Sequence, residues 1–113
     1  MRLEKINSLI KEELSRILLE EFDFPQGVLV TILSVDTSPS VESVKVWVSV
    51  LPETMTGVMI RKLQERIGDV QRLLNKRVSL RFVPKITFRI DRSESYASQI
   101  DEVLKNKDTD DFN

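Results

Sequence analysis

The apolar residues of this chain switch repeatedly between a helical spacing and strict alternation, and the switches dictate a fold that mixes helices with a sheet. Leu3, Ile6, Ile10, Leu14, Ile17 and Leu18 recur at helical spacing, with Lys11, Glu12, Glu13 and Arg16 between them. They predict an amphipathic helix over roughly residues 2–21. Asp23-Phe24-Pro25-Gln26-Gly27 has the chemistry of a stop and turn. A strand follows from Val28 to Asp36, rich in β-branched residues. Val44, Val46, Val48 and Val50 then alternate with Lys45, Trp47, Ser49 and Leu51, the mark of a half-buried strand. Thr37-Ser38-Pro39-Ser40 supplies the turn of an antiparallel hairpin.

Pro52 ends the second strand, and helical spacing resumes through Val58, Met59, Leu63 and Ile67, then Val70, Leu73 and Leu74. Gly68 interrupts this run at a cost of about 1 kcal/mol relative to alanine, so it marks a bend or a close approach. A last strand is expected from Val78 through Ile90, with Leu80, Phe82, Ile86 and Phe88 on its core face. Its other face carries Arg81, Lys85 and Arg89, and Pro84 requires a bulge or a local edge. Ser93-Glu94-Ser95-Tyr96 opens a short closing helix with Ile100, Val103 and Leu104 as its stripe. The order predicts one α+β domain with helices packed on one face of a three-stranded sheet.

Charge is segregated along this order. Ten of the 17 lysines and arginines fall between Arg61 and Arg92, opposed there by Glu65, Asp69 and Asp91 alone. That window is near +7, whereas residues 1–60 and 93–113 each sum to −4, which recovers the total of −1. Segregation of this kind favours a polyanionic partner over a small neutral one. On the helices, Arg61, Lys62, Arg66, Arg72, Lys76 and Arg77 lie opposite the apolar arc.

The chain has no cysteine and no histidine. Disulfides, thiolate chemistry, Ser-His-Asp catalysis and the commonest metal ligands are therefore unavailable to it. Glu12, Glu13, Glu20 and Glu21 read as an acidic helix surface without a partner base or ligand set. No enzymatic activity, cofactor, metal or small-molecule substrate is expected. No secretory signal or membrane span is expected either, and a cytoplasmic location is the simplest reading.

Several segments, taken in order, resemble the ribosome-binding factor A family of bacterial small-subunit assembly factors. They are Ile6-x-x-x-Ile10-x-Glu12-Glu13-Leu14-x-x-Ile17-Leu18, Val30-Thr31-Ile32 through Val35, and Val44-Lys45-Val46-Trp47-Val48-Ser49-Val50-Leu51. The most specific is Leu80-Arg81-Phe82-Val83-Pro84-Lys85-Ile86-x-Phe88-x-x-Asp91, followed by Ile100-x-x-Val103-Leu104. The resemblance implies a type II KH-like domain over residues 1–104; the polar, mostly acidic residues 105–113 read as a flexible tail, and a monomer is expected. It also implies that the partner is the free, immature small ribosomal subunit and its rRNA, whose late maturation the protein assists. The family's alanine-x-glycine kink falls by position on Arg66-Ile67-Gly68, with arginine where the family has a small residue.

The expected RNA-binding residues are thus Arg61, Lys62, Arg66, Ile67, Gly68, Arg72, Lys76, Arg77, Arg81, Lys85 and Arg89. Gly68 is expected to break the helix, either as a C-cap followed by Asp69 as N-cap or as an RNA-facing turn. Whether helix and strand cations form one patch or two is open at this level. Trp47 is read as packing beneath the tail around Tyr96 or Ile100, with a base-stacking platform as the alternative. The competing functional readings are a protein–protein adaptor that docks an acidic surface and a general RNA-binding module.

Overall fold

The computed structural model describes residues 3–90. Its elements run α1 (Leu3–Glu21), β1 (Leu29–Thr37), β2 (Ser43–Leu51), a 3-10 turn (Glu53–Met55), α2 (Thr56–Glu65), α3 (Ile67–Arg77) and β3 (Lys85–Ile90). The sheet order is β1-β2-β3. β1 and β2 pair antiparallel as the hairpin pattern requires, and β3 lies parallel to β2. A parallel neighbour needs a long crossover, which α2 and α3 provide. The closing helix expected after Ser93 and the tail lie outside the described residues.

Alternation along β2 builds the core. Val44, Val46 and Val48 are fully buried between the cross-strand neighbours Thr37, Val35 and Ile32 of β1 and Ile86, Phe88 and Ile90 of β3. Ile10, Leu14 and Ile17 of α1, Leu63 of α2 and Leu74 of α3 complete that layer with no exposed area. Each such side chain contributes about 1.5–3 kcal/mol relative to remaining in water. The helices therefore cover one face of the sheet. Lys45, Trp47 and Ser49 occupy the other.

β1 does not alternate cleanly, because it contains a bulge. Ile32 pairs with Val48 and Ser34 with Trp47, so Leu33 is the extra residue and is 41% exposed. The insertion keeps both Ile32 and Val35 on the core side despite their odd spacing. β1 ends at Thr37, which is buried and gives both its N–H (3.0 Å) and its hydroxyl (2.6 Å) to Asn7 Oδ1 of α1.

Two turns follow from local chemistry. Gly27 has φ +85°, and the Val28 N–H reaches Pro25 O at 3.1 Å, which places glycine where a type II turn needs positive φ. In the hairpin loop the Ser38 hydroxyl accepts from the N–H groups of Glu42 (3.1 Å) and Ser43 (3.2 Å). Val41 is held there at φ +61°, an unfavourable conformation for a β-branched residue, while its side chain packs on the core.

Two expectations are corrected. The last strand begins at Lys85 rather than Val78, and Phe82 is 71% exposed rather than buried. The reason is register: Ser43, the first residue of β2, already pairs with Lys85. Earlier residues have no strand beside them, since the chain turns away over residues 38–42. The helix break lies at Arg66 (φ −110°, ψ 16°) instead of Gly68. Gly68 is the second residue of α3, and Asp69 lies inside the first turn and is not its N-cap.

Candidate nucleic-acid interface

The expected cations separate into three groups. Lys62, Arg66 and Arg77 turn inward to the C-terminal end of α1. That end carries the partial negative charge of a helix terminus together with Glu20 and Glu21, and its last turn has no basic residue of its own. Lys62 Nζ donates to Asp23 O at 3.2 Å, and an Arg66 guanidinium nitrogen donates to Glu21 O at 2.7 Å. Arg77 pairs with Glu20 at 2.9 Å and reaches Glu21 at 4.0 Å, its side chain only 27% exposed.

Arg66 is the most heavily engaged of the three. Its guanidinium lies 4.6 Å from the centre of the Phe22 ring, which itself stacks on Phe24 at 5.4 Å. It also sits 3.5 Å from the Asp69 carboxylate. These contacts hold the residue that breaks the helix, so the arginine at the kink fastens α1 to the α2–α3 junction instead of standing free as a cation.

The second group is open. Arg61 on α2 and Lys76 on α3 are exposed and have no ion pair among the described residues. Arg72 lies four residues before Lys76 on the same stripe of α3, exposed and paired with Asp69 at 3.0 Å. The hydrogen bond from Arg72, with its charge and that of Arg66, holds the Asp69 carboxyl below its ordinary value of 3.8.

Beside this group lies the start of α3. It has no side-chain cap, and the first backbone bond there runs from the Val70 N–H to Arg66 O at 3.0 Å. The N–H groups of Ile67, Gly68 and Asp69 remain as the donors that a helix start leaves over, and these suit phosphate oxygens. Asp69 spends its carboxylate on two arginines, not on these donors. Gly68 is exposed, and a Cβ added there would meet nothing within 4 Å. Ile67 is half-buried against the core.

The third group sits elsewhere. Lys85 and Arg89 lie on the outer face of the sheet, where the register sets Lys45 across from Thr87 and Trp47 across from Arg89. Arg81 belongs to the loop before β3. The basic residues therefore form two patches on opposite sides of the sheet, the alternative that spacing alone left open. Trp47 is half-buried on the outer face, and its expected partners Tyr96 and Ile100 lie outside the described residues.

Among the described residues no group of His, Cys, Asp or Glu could hold a metal ion. No helix among them is long and apolar enough to cross a membrane. A surface of cations and free backbone donors around a broken helix pair is what the arrangement offers.

The family model of ribosome-binding factor A matches residues 2–104. The chain belongs to that family. The ribosome-binding factor A of Akkermansia muciniphila is 32% identical over 107 residues, covering 95% of this chain and 85% of that protein. That of Natranaerobius thermophilus is 38% identical over 106 residues, covering 93% and 81%. The crystal structure of ribosome-binding factor A from Thermus thermophilus superposes with a TM-score of 0.70 at 20% identity, over 82% of this chain and 99% of that one. A Thermus thermophilus ribosome-binding factor A model fitted into a cryo-EM map of a 30S complex gives 0.64 at 22% identity, over 77% and 92%. The fold is accordingly the family's KH-like α+β domain, with the kink between α2 and α3.

Sequence reasoning missed three residues at or beside these candidate surfaces. Gln71 of α3 accepts the Ile86 N–H at 2.9 Å and donates to Pro84 O at 3.1 Å, acting as a surrogate strand at the start of β3. A polar residue one turn past the kink gives no pattern that would flag it. Lys45 joins the outer-face cations and was legible from the alternation of β2. Alternation puts Phe82 in the core because the residue continues a pattern whose partner strand is absent.

Proposed function

We propose that this chain binds the immature small ribosomal subunit through its rRNA and assists late maturation by binding alone. The supporting observation is the set of exposed cations Arg61, Arg72 and Lys76 beside the uncapped start of α3. Phosphates meet side-chain charge and backbone donors together there. The Thermus thermophilus relative fitted into a 30S complex supports the choice of partner. Binding favours whichever rRNA conformation fits this surface, by no more than its differential affinity for the two conformations. The exposed acids Glu4 and Glu12 of α1 disfavour docking through that helix. The protein acts as a monomer in the cytoplasm, without cofactor or catalysis.

Cosedimentation of the full chain with purified free small subunits over a salt series tests this reading, with large subunits and an unrelated RNA as controls. Selective pelleting that weakens steeply with salt is expected. Equal pelleting with every RNA reduces the function to general RNA binding. Pelleting that ignores both salt and RNA competitor points to a protein adaptor.

A further inference from the structure

Phe82 is a large aromatic residue 71% exposed in a short loop between α3 and β3. The loop is fixed at both ends. Val78 is buried and its N–H bonds Leu74 O at 3.1 Å. Pro84 is buried with its carbonyl held by Gln71, and the Lys85 N–H bonds Glu42 O at 3.0 Å. Between these ends Leu80 and Val83 pack partly against the core. Arg81 and Phe82 are left projecting as a braced pair, the guanidinium 5.6 Å from the ring centre. Along the sequence no acidic residue occurs between Asp69 and Asp91, and Lys85, which closes the loop, is exposed; the nearest acid across from it is Glu42 of the hairpin loop.

We propose that the Arg81–Phe82 tip is a stacking contact for one unpaired RNA base, with Arg81 and Lys85 neutralising the adjoining phosphates. An exposed phenylalanine offers no hydrogen bond and costs free energy in water, so its use must be apolar or π-facial. The Arg81 guanidinium beside the ring and the exposed Lys85 at the end of the loop favour a base on a polyanionic chain over an apolar protein segment. Stacking is also tolerant of base identity, so the tip adds affinity and position without sequence choice. This inference rests on the RNA-binding reading above and assigns a contact separate from the α2–α3 surface.

The test compares the wild-type chain with Phe82→Ala, Phe82→Leu and Phe82→Tyr for affinity toward free small subunits at fixed salt. Thermal melts are run in parallel. The wild type binds, all variants melt with it because the ring is exposed, and Phe82→Tyr keeps its affinity. Phe82→Ala and Phe82→Leu lose about 5- to 150-fold, the range that removing one aromatic–base stack produces. Wild-type affinity in Phe82→Ala, or recovery in Phe82→Leu, overturns the stacking contact and leaves the α2–α3 surface standing; recovery in leucine would mark an apolar protein contact. Failure of the wild type itself to bind subunits overturns the reading on which the contact rests. A large drop in melting temperature for Phe82→Ala overturns the description of the ring as a projecting tip.

Discussion

Replacing Arg72 and Lys76 together by alanine separates binding charge from structural charge. Both lie on one stripe of α3, and the only ion pair either makes among the described residues is Arg72 with Asp69, at 66% and 48% side-chain exposure. An exposed pair of this kind contributes little to stability, so the fold should survive its loss. If each residue neutralises one phosphate, the variant's logarithmic salt slope becomes shallower by about 1.4 on single strands or about 1.8 on duplex. Raising salt from about 50 to about 200 mM is a fourfold change, so the wild-type advantage should shrink by about 7- to 12-fold across it. Cosedimentation with small subunits at several salt concentrations reads this directly. A folded double variant with the wild-type slope would refute the assignment of this stripe to RNA. Including Arg77 in the variant would blur the result, because its loss leaves the Glu20 and Glu21 carboxylates at the end of α1 without the cation they share.

Arg66→Ala should cost about 1–3 kcal/mol, from the lost charged hydrogen bond to Glu21 O and the lost contact with the Phe22 ring; denaturant melts unchanged from wild type would show that the junction is not held by this side chain. Gln71→Ala should leave the part-buried Ile86 N–H without its partner, costing about 1–3 kcal/mol and accelerating amide exchange at Ile86. Unaltered protection of that amide would argue against the brace. For Asp69 the folded-state value is depressed by Arg72 and Arg66, so its stabilisation is present above 3.8 and is lost as pH falls through the lower folded value. The stability gap between wild type and Asp69→Asn should accordingly be constant near neutrality and close only in acid. A gap that persists unchanged at the lowest pH where the protein is folded would exclude the ionised carboxylate as its source.

Period and alternation were sufficient for α1, β2 and the hairpin, because each buries one face against a neighbour that exists along its whole length. The same rule failed over residues 78–83. Alternation there is as regular as in β2, but a strand also requires a partner, and partner length is a tertiary property. The break near Gly68 was misplaced by two residues for a related reason. Glycine is the poorer helix former, yet the chain breaks where tertiary contacts hold a non-helical residue, and Arg66 has a carbonyl, a ring and a carboxylate to hold it. Among the candidate cations, spacing could not tell which were already committed to other contacts. That distinction depends on acids and carbonyls 39 to 57 positions away in sequence.

The commitment of those cations changes what the charge segregation means. Taken alone, nine basic residues between Arg61 and Arg89 suggest one continuous polyanion surface. Three of them, Lys62, Arg66 and Arg77, are bound to the end of α1, where an acidic last turn reinforces the negative end of the helix dipole. Acidic α1 thus does more than repel nucleic acid from its own side. The end of α1 holds Lys62 and Arg66 beside the α2–α3 junction and Arg77 at the far end of α3, and so fixes where the uncapped start of α3 and the stripe of Arg72 and Lys76 point. On this argument Glu20 and Glu21 act on RNA binding without touching RNA: neutralising them should release Arg77, the cation their carboxylates hold, and loosen the end of α3 on α1, giving more total positive charge but a less directed surface. Affinity for arbitrary RNA would then rise while preference for the small subunit fell, a pair of opposite changes that a purely solvating acidic face would not produce.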